Sequence, residues 1–315
     1  LPYTVFHEAI SWMIQGVLWI SRQSYGMLTI GHVPFLWVLL FYFMTGLWIW
    51  KKNGQNRHIR ISLAYVIMII LIWIPMARRK SLVFLDVGQG DCFVADTKSG
   101  AIIFDGGSSS EDQVGRYRIL PYMKYLGYQK IQIAVISHMD IDHYSGIKEL
   151  LEMGKIKYLG LPEIPKDATM KKIIGIAKKR GTTIFYLSRG RQITTKDGSL
   201  KVLHPQKNSQ MEKNAASLVM QGKILGYRVL LTGDVEKEGE EELLSEELER
   251  ADILKAAHHG SKNSTSNEFL QKVQPKQTVI SCGKQNRYGH PHLETIHRLQ
   301  TYHTKIYRTD RSGAI

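Results

Sequence analysis

The chain has 315 residues, with 42 lysines and arginines against 28 aspartates and glutamates, a formal net charge of +14. That length holds one large domain with a smaller region, or two domains. Its two cysteines, Cys92 and Cys282, are too few for a disulfide framework and lack zinc-pair spacing, so both are expected as buried free thiols. The chain opens at Leu1 without a charged n-region or a small-residue cleavage site, and the expectation is a piece of a longer protein rather than a secreted precursor.

Charge is unevenly shared. Residues 1–80 carry Arg22, Lys51, Lys52, Arg57, Arg60, Arg78, Arg79 and Lys80 against the single acid Glu8, leaving 34 basic and 27 acidic residues beyond. Such an excess suits a polyanionic partner, nucleic acid or a phospholipid surface, and equally an ordinary solvated surface.

In chain order, Tyr3–Ile20 comes first. Val5, Phe6, Ala9, Ile10, Met13 and Val17 recur at helical spacing, which predicts a helix lying in a membrane interface or packed in a bundle. Pro34–Trp50 and Ile61–Ala77 contain no formal charge. At about 1.5 Å per residue each spans roughly 25 Å, at the short end for a bilayer-crossing helix. Trp37, Trp48, Trp50 and Trp73 sit towards their ends as interfacial anchors do. Residues 1–80 are therefore expected as a membrane region with two transmembrane helices. The connector Lys51–Arg60 holds four basic residues and favours the cytoplasmic side, which puts the rest of the chain on the extracytoplasmic face; Arg78, Arg79 and Lys80 pull the other way.

Residues 81–315 read as a soluble α/β domain. Strand-like runs fall at Leu82–Val87, Cys92–Thr97, Ala101–Phe104, Ile131–Ser137, Lys201–His204, Ser217–Gln221, Tyr227–Thr232, Asp252–Ala257 and Thr278–Ser281. Helical patterns fall at His143–Met153, Ala168–Arg180 and Glu236–Arg250. The expected architecture is two sheets faced by helices.

Four patches carry chemistry. Ser137-His138-Met139-Asp140-Ile141-Asp142-His143 lies where a strand meets a helix. Two histidines and two aspartates in six residues suit Zn²⁺, Mn²⁺ or Fe²⁺. Leu230-Leu231-Thr232-Gly233-Asp234 ends a strand in a carboxylate able to bridge two metals, although Gly-Asp there is also a common turn. In Lys255-Ala256-Ala257-His258-His259-Gly260-Ser261 adjacent histidines cannot both point one way along an extended chain. One is expected to bind metal while the other packs or supports it. Asn286-Arg287-Tyr288-Gly289-His290-Pro291-His292 is the fourth.

These patches, in this order, resemble the metallo-β-lactamase superfamily, whose first motif H-x-H-x-D-H becomes H-x-D-x-D-H here because Asp140 replaces the second histidine. With Asp86-Val87-Gly88-Gln89-Gly90-Asp91, Phe104-Asp105-Gly106-Gly107, His258-His259-Gly260-Ser261 and Tyr288-Gly289-His290-Pro291, they look like the ComEC/Rec2 DNA-internalisation branch. The resemblance covers Ser81 to Ile315 and implies an αββα sandwich preceded by transmembrane α-helices. It implies two divalent metal ions, Mn²⁺ or Zn²⁺: His138 and Asp140 on one, Asp142, His143 and His258 on the other, with Asp234 bridging. The third-motif ligand is Asn214 or His204. Asp105 would orient the metal loop, Lys255 would stabilise a phosphorane-like transition state or be a surface charge, and His290 would donate a proton or position substrate. Gly88–Asp91 either approaches a phosphate or forms a tight hairpin turn.

The resemblance further implies a membrane-bound hydrolase of single-stranded DNA, probed during uptake in company with the DNA-uptake machinery. Two cations sharing a water lower its pKa and polarise a phosphoryl oxygen, so Asp142, Lys255 and His290 are the expected catalytic residues. The basic helix with Lys171, Lys172, Lys178, Lys179 and Arg180 would meet backbone charge or be a solvated face. The competing readings are a non-catalytic module that guides DNA to the channel, and a hydrolase of another phosphoester.

Overall fold

The computed structural model describes residues 2–22, 29, 31–50, 59, 62–63, 65–67 and 80–315, apart from 212, 213 and 247. Two compact units separate: Leu1–Ala77 with Gly127–Gln129, and Arg78–Leu126 with Lys130–Ile315.

In the first unit, Pro2–Arg22 and Phe35–Trp50 are helices. The 16 residues of the second reach only about 24 Å at the usual rise, short of a hydrocarbon core of about 30 Å. No described helix is long and apolar enough to cross a membrane. Most of the second expected span, Ile61–Ala77, and of the basic connector lies outside the described residues.

The second unit is built on two sheets. The first runs β1 (Leu82–Phe84), β2 (Phe93–Thr97), β3 (Gly100–Phe104), β4 (Ile131–Val135), β5 (Ile156–Pro162) and β6 (Thr183–Leu187) in spatial order. Its first three strands are antiparallel and the rest parallel. The second sheet takes β7 (Gln192–Thr195), β8 (Gly198–His204), β9 (Val219–Ile224), β10 (Tyr227–Leu231), β11 (Ile253–Lys255), β12 (Gln277–Ile280) and β13 (Lys305–Arg308), likewise in order. β7 to β10 are antiparallel and β10 to β13 parallel.

Period-two alternation explains the layering. Val202, Met220, Val229 and Leu231 pack inward on Phe84, Phe93, Phe104 and Val135 of the first sheet. Leu203, Val219 and Leu230, one residue out of step, face Leu243, Phe269, Leu270 and Leu299 of the outer helices. Both faces of the second sheet are thus buried, as parallel strands require.

Several strands and helices went unread in the sequence. β5 holds Lys157, Gly160 and Pro162, β7 and β13 are four residues each, and β6 was passed over although Thr-Ile-Phe-Tyr-Leu suits a strand; Gly160 in β5 is bare because a side chain there would meet the Phe185 ring at 2.9 Å. The helical pattern Glu236–Arg250 yields a helix only over Lys237–Leu244. Beyond it Gln221 in β9 claims the backbone of Glu249, donating to its O at 2.7 Å and accepting from its N at 3.1 Å, which draws the chain back to the sheet.

Candidate metal centre

Three loops at one end of the sandwich converge on the centre. After β4 the chain turns through Ser137–Asp140 into the helix Ile141–Glu152, with Asp140 as its N-cap residue and Asp142 in its first turn. A carboxylate there is favoured by the helix's positive end. His143 faces inward, fully buried. Asp105, just past β3, adopts the left-handed region at φ 58°, a strained setting for a residue with a side chain. From there Oδ1 accepts from Ser137 N at 2.7 Å and Oδ2 lies 2.9 Å from His143 Nδ1. A carboxylate so placed holds the proton on Nδ1 and turns Nε2 towards the centre.

His259 is oriented the same way from the other sheet. The turn Ala257–Gly260 after β11 puts His258 and His259 at φ 49° and 53°, so that neither follows an extended path. His259 Nδ1 lies 2.9 Å from Ser281 O; a carbonyl only accepts, so Nδ1 carries the proton and Nε2 is left to face the centre. The Nε2 atoms of His138, His143 and His259 are buried without a hydrogen-bond partner.

One ligand atom from each of Asp91, His143, Asp234 and His259 lies within 4.8 Å of the others, and all four residues are buried. Orientation divides this group. Asp234 Oδ2 lies 3.1 Å from His143 Nε2 and 3.4 Å from His259 Nε2, and Asp142 Oδ2 lies 3.4 Å from His259 Nε2. Ligands at about 2.0–2.2 Å from a transition metal stand roughly 3–3.5 Å from one another, so His143, His259, Asp234 and Asp142 fit a divalent ion. Asp91 lies behind them, on the Nδ1 edges, at 3.7 Å from His143 and 3.5 Å from His259. It is fixed by its own N–H, which donates to Asp142 O at 3.0 Å. The preceding Gly90 leaves no room for a side chain, Gly107 O being 2.2 Å from where a Cβ would stand. The Gly88–Asp91 segment thus lies within the eight-residue connection 85–92 between β1 and β2, locked onto the metal loop.

Charge explains the cohesion. Burial alone would raise the pKa of Asp91 and Asp234, but Lys255 and His259 hold Asp91 far below the usual carboxylate range, and His143, His259 and Lys255 do so for Asp234. Burial likewise opposes the charged imidazoles, yet Asp234 and Asp105 push His143 well up, and Asp234 and Asp91 push His259 to about 10. Clustered buried carboxylates demand positive charge; a divalent cation meets the same demand with Nε2 deprotonated.

The other expected residues fall around this core. Buried His138 has Nε2 3.6 Å from Oδ2 of the half-exposed Asp140, and its ring is 4.1 Å from that of His143. His258, expected as a ligand, stands at the rim, with Nδ1 2.9 Å from Glu236 Oε1 and Nε2 3.8 Å from Asp234, while His259 is the imidazole in the buried group. Asn214 Nδ2 reaches the same Glu236 Oε1 at 3.5 Å. His204 turns elsewhere, with Nε2 donating to Ala215 O at 2.7 Å and Nδ1 3.3 Å from Glu242. Lys255 is buried; it donates to Gly233 O at 2.8 Å and pairs with Asp91 and, at 3.5 Å, Asp234. His290 lies 5.5 Å ring to ring from His258 and 6.1 Å from His259. Burial and then the charges of His259, His258 and His292 lower its pKa to about 4. Asp91 and His259 were not among the residues expected to serve. Asp91 closed a glycine turn and His259 stood beside a histidine of equal promise, and only three-dimensional packing separates such pairs.

A family model of the metallo-β-lactamase superfamily matches residues 85–284. The chain belongs to this superfamily. Within the superfamily its homologues are competence proteins of the ComEC/Rec2 kind. It is 33% identical over 341 aligned positions to ComE operon protein 3 of Bacillus subtilis, covering 100% of this chain and 43% of that protein. It is 30% identical over 237 positions to Competence protein ComA of Neisseria gonorrhoeae, covering 73% and 31% respectively. The chain spans less than half the length of these curated relatives. Among solved structures, the metallo-β-lactamase fold protein YhfI from Bacillus subtilis superposes with a TM-score of 0.52 at 12% identity, over 75% of this chain and 99% of that one, a likeness of fold.

Proposed function

We propose that this metallo-β-lactamase domain is a metal-dependent phosphodiesterase that cuts single-stranded DNA during its uptake through a membrane channel. One observation carries the reading: His143, His259, Asp234 and Asp142 converge with donor spacings of a metal polyhedron and unpartnered Nε2 atoms. The ion, Mn²⁺ or Zn²⁺, would activate a water and polarise a phosphoryl oxygen when bound. His138 and Asp140 would offer a second, more exposed position beside it. Asp105 and Ser281 O keep the imidazoles aimed, and Asp91 with Lys255 balances charge beneath them. Lys255 is committed to Gly233 O, Asp91 and Asp234, so its service is to the ligands rather than to substrate. His258 and His290 line the open side, where a phosphate would be positioned. The homologues' competence names support DNA as substrate and the uptake machinery as partner. Exposed Leu36 and Phe43 on the helix Phe35–Trp50 suit a membrane setting.

A non-catalytic DNA-guiding role is favoured by one feature, the turning away of His204, which leaves the outer metal position with few ligands. The detergent-solubilised full chain, incubated with single-stranded DNA and Mn²⁺ or Zn²⁺, distinguishes the two. Cleavage is expected, at least about a hundredfold slower in His259→Ala, with a smaller loss in His258→Ala. Absence of cleavage by a chain shown to hold metal overturns the hydrolase reading.

A further inference from the structure

Arg287 and Tyr288 are exposed, yet they sit on a loop that is anything but loose. The loop 283–292 joins β12 to the helix Leu293–Thr301. Asn286 staples it from within: Nδ2 donates to Gly283 O at 2.9 Å and to His290 O at 2.6 Å, while Oδ1 accepts from Tyr288 N at 3.2 Å and His290 N at 2.9 Å. Both ends are tied to the site. Gly283 N donates to Gln89 Oε1 at 3.1 Å, and His292 N donates to Gly260 O at 3.0 Å beside the metal-loop histidines. With every polar group of Asn286 spent inside the loop, Arg287 and Tyr288 are presented outward.

These two side chains form a stacked unit. The Arg287 guanidinium carbon lies 4.9 Å from the Tyr288 ring centre, and Nη2 donates to the Tyr288 hydroxyl at 2.7 Å. Rings lead inward from there: Tyr288 is stacked on His290 at 5.7 Å and 20°, and His290 lies tilted against His259 at 6.1 Å and 31°. Tyr288 remains 42% exposed. An exposed tyrosine on a turn is ordinary, but a guanidinium lying over a tyrosine ring that is itself stacked on a histidine beside the metal centre, on a loop stapled by Asn286, matches how proteins hold unpaired bases.

We propose that Arg287 and Tyr288 form a nucleobase-stacking subsite that holds the base beside the phosphate at the metal centre. The subsite selects strands whose bases are free, because a base paired within a duplex has no open face to offer. This deepens the phosphodiesterase reading and rests on it for the phosphate. A preformed platform gives up little freedom on binding, so the stacking energy is available for affinity.

The test compares a short oligothymidylate with a strand of the same length whose sugars are abasic, both bound to the full chain after chelation of metal so that neither is cut. The two strands carry equal phosphate charge and differ in bases alone. The wild-type chain is expected to bind the base-bearing strand about tenfold more tightly. Tyr288→Leu should bring the two strands to within about twofold, and Tyr288→Phe should keep most of the preference. Metal uptake by Tyr288→Leu equal to that of wild type shows that its centre is intact. Should that variant not fold, 2-aminopurine placed in the strand gives a direct reading in wild type, with fluorescence quenched on binding. Equal binding of the two strands by wild type, an undiminished preference in Tyr288→Leu, or unquenched 2-aminopurine overturns the subsite. Parallel assays of the chain shown to hold metal, with Mn²⁺ and with Zn²⁺, separate the two claims. Cleavage without base preference overturns the subsite and leaves the hydrolase; a Tyr288-dependent preference without cleavage supports the subsite and overturns the hydrolase.

Discussion

Asp105 governs how His143 meets its ion. Its two oxygens divide the work, one fixing the backbone at Ser137 and the other holding the Nδ1 proton of His143. Asp105→Asn keeps the shape but replaces an acceptor by an amide that can present N–H to Nδ1, which favours the tautomer with its proton on Nε2. Metal affinity is expected to fall about 10- to 100-fold, measured by competition with a chelator of known affinity. An unchanged affinity would mean that the imidazole needs no such partner. Such a carboxylate was readable as a helper through the family resemblance that Phe104-Asp105-Gly106-Gly107 carries. The choice between His258 and His259 was not: both stand in the same turn, and their left-handed backbone, which sends one into the core and the other to the rim, is set by what surrounds them.

At the scale of elements, the helices Lys237–Leu244 and Asn267–Val273 are joined by a buried carboxylate. Glu240 accepts from the N–H of Thr265 and, at 3.0 Å, from that of Ser266, the N-cap residue of the second helix. Burial nonetheless raises the pKa of Glu240 above its ordinary 4.5. The folded chain thus holds this proton more tightly than the unfolded one. The stabilisation from that difference is complete below pH 4.5 and is lost as pH rises through the raised value. Glu240→Ala is expected to cost about 1–3 kcal/mol by stranding a buried amide, and to remove this fall in stability between acid and neutral pH. Urea denaturation across that range reads both. A slope identical to that of wild type would show that Glu240 is not its source. The sequence marked Glu236–Arg250 as one helical pattern; it had no means of showing that Gln221, distant in the chain, would take up the backbone of Glu249.

The whole domain is organised so that its two sheets meet at the candidate metal centre. His143 follows β4 of the first sheet, and Asp234 and His259 follow β10 and β11 of the second. A cation held by all of them would add a cross-link between halves already joined by the apolar core and by polar contacts such as Lys255 with Asp91 and Gly283 N–H with Gln89. Metal removal is therefore expected to lower the stability of the full chain, by about 2.7 kcal/mol for a free-ion concentration a hundred times the dissociation constant. Thermal unfolding with a chelator, and then with Mn²⁺ restored in excess, measures it. A melting temperature indifferent to metal would show that the centre takes no part in holding the sheets together.

Local information was enough for much of this protein. Short β-branched and aliphatic runs announced the strands, because a strand buried on both faces reads as a near-continuous apolar run; a dense run of histidine and aspartate between strand and helix announced a metal loop, because few other uses concentrate those groups. The amino-acid sequence by itself thus determined the class of fold and the chemistry to look for. Only the tertiary structure decided which carboxylate and which imidazole face the ion, that Lys255 is buried among carboxylates, and that Asp91 belongs to the centre. Those choices depend on contacts between residues far apart in the chain, and on the cost of burying charge without a partner, which exists only once the two sheets have closed.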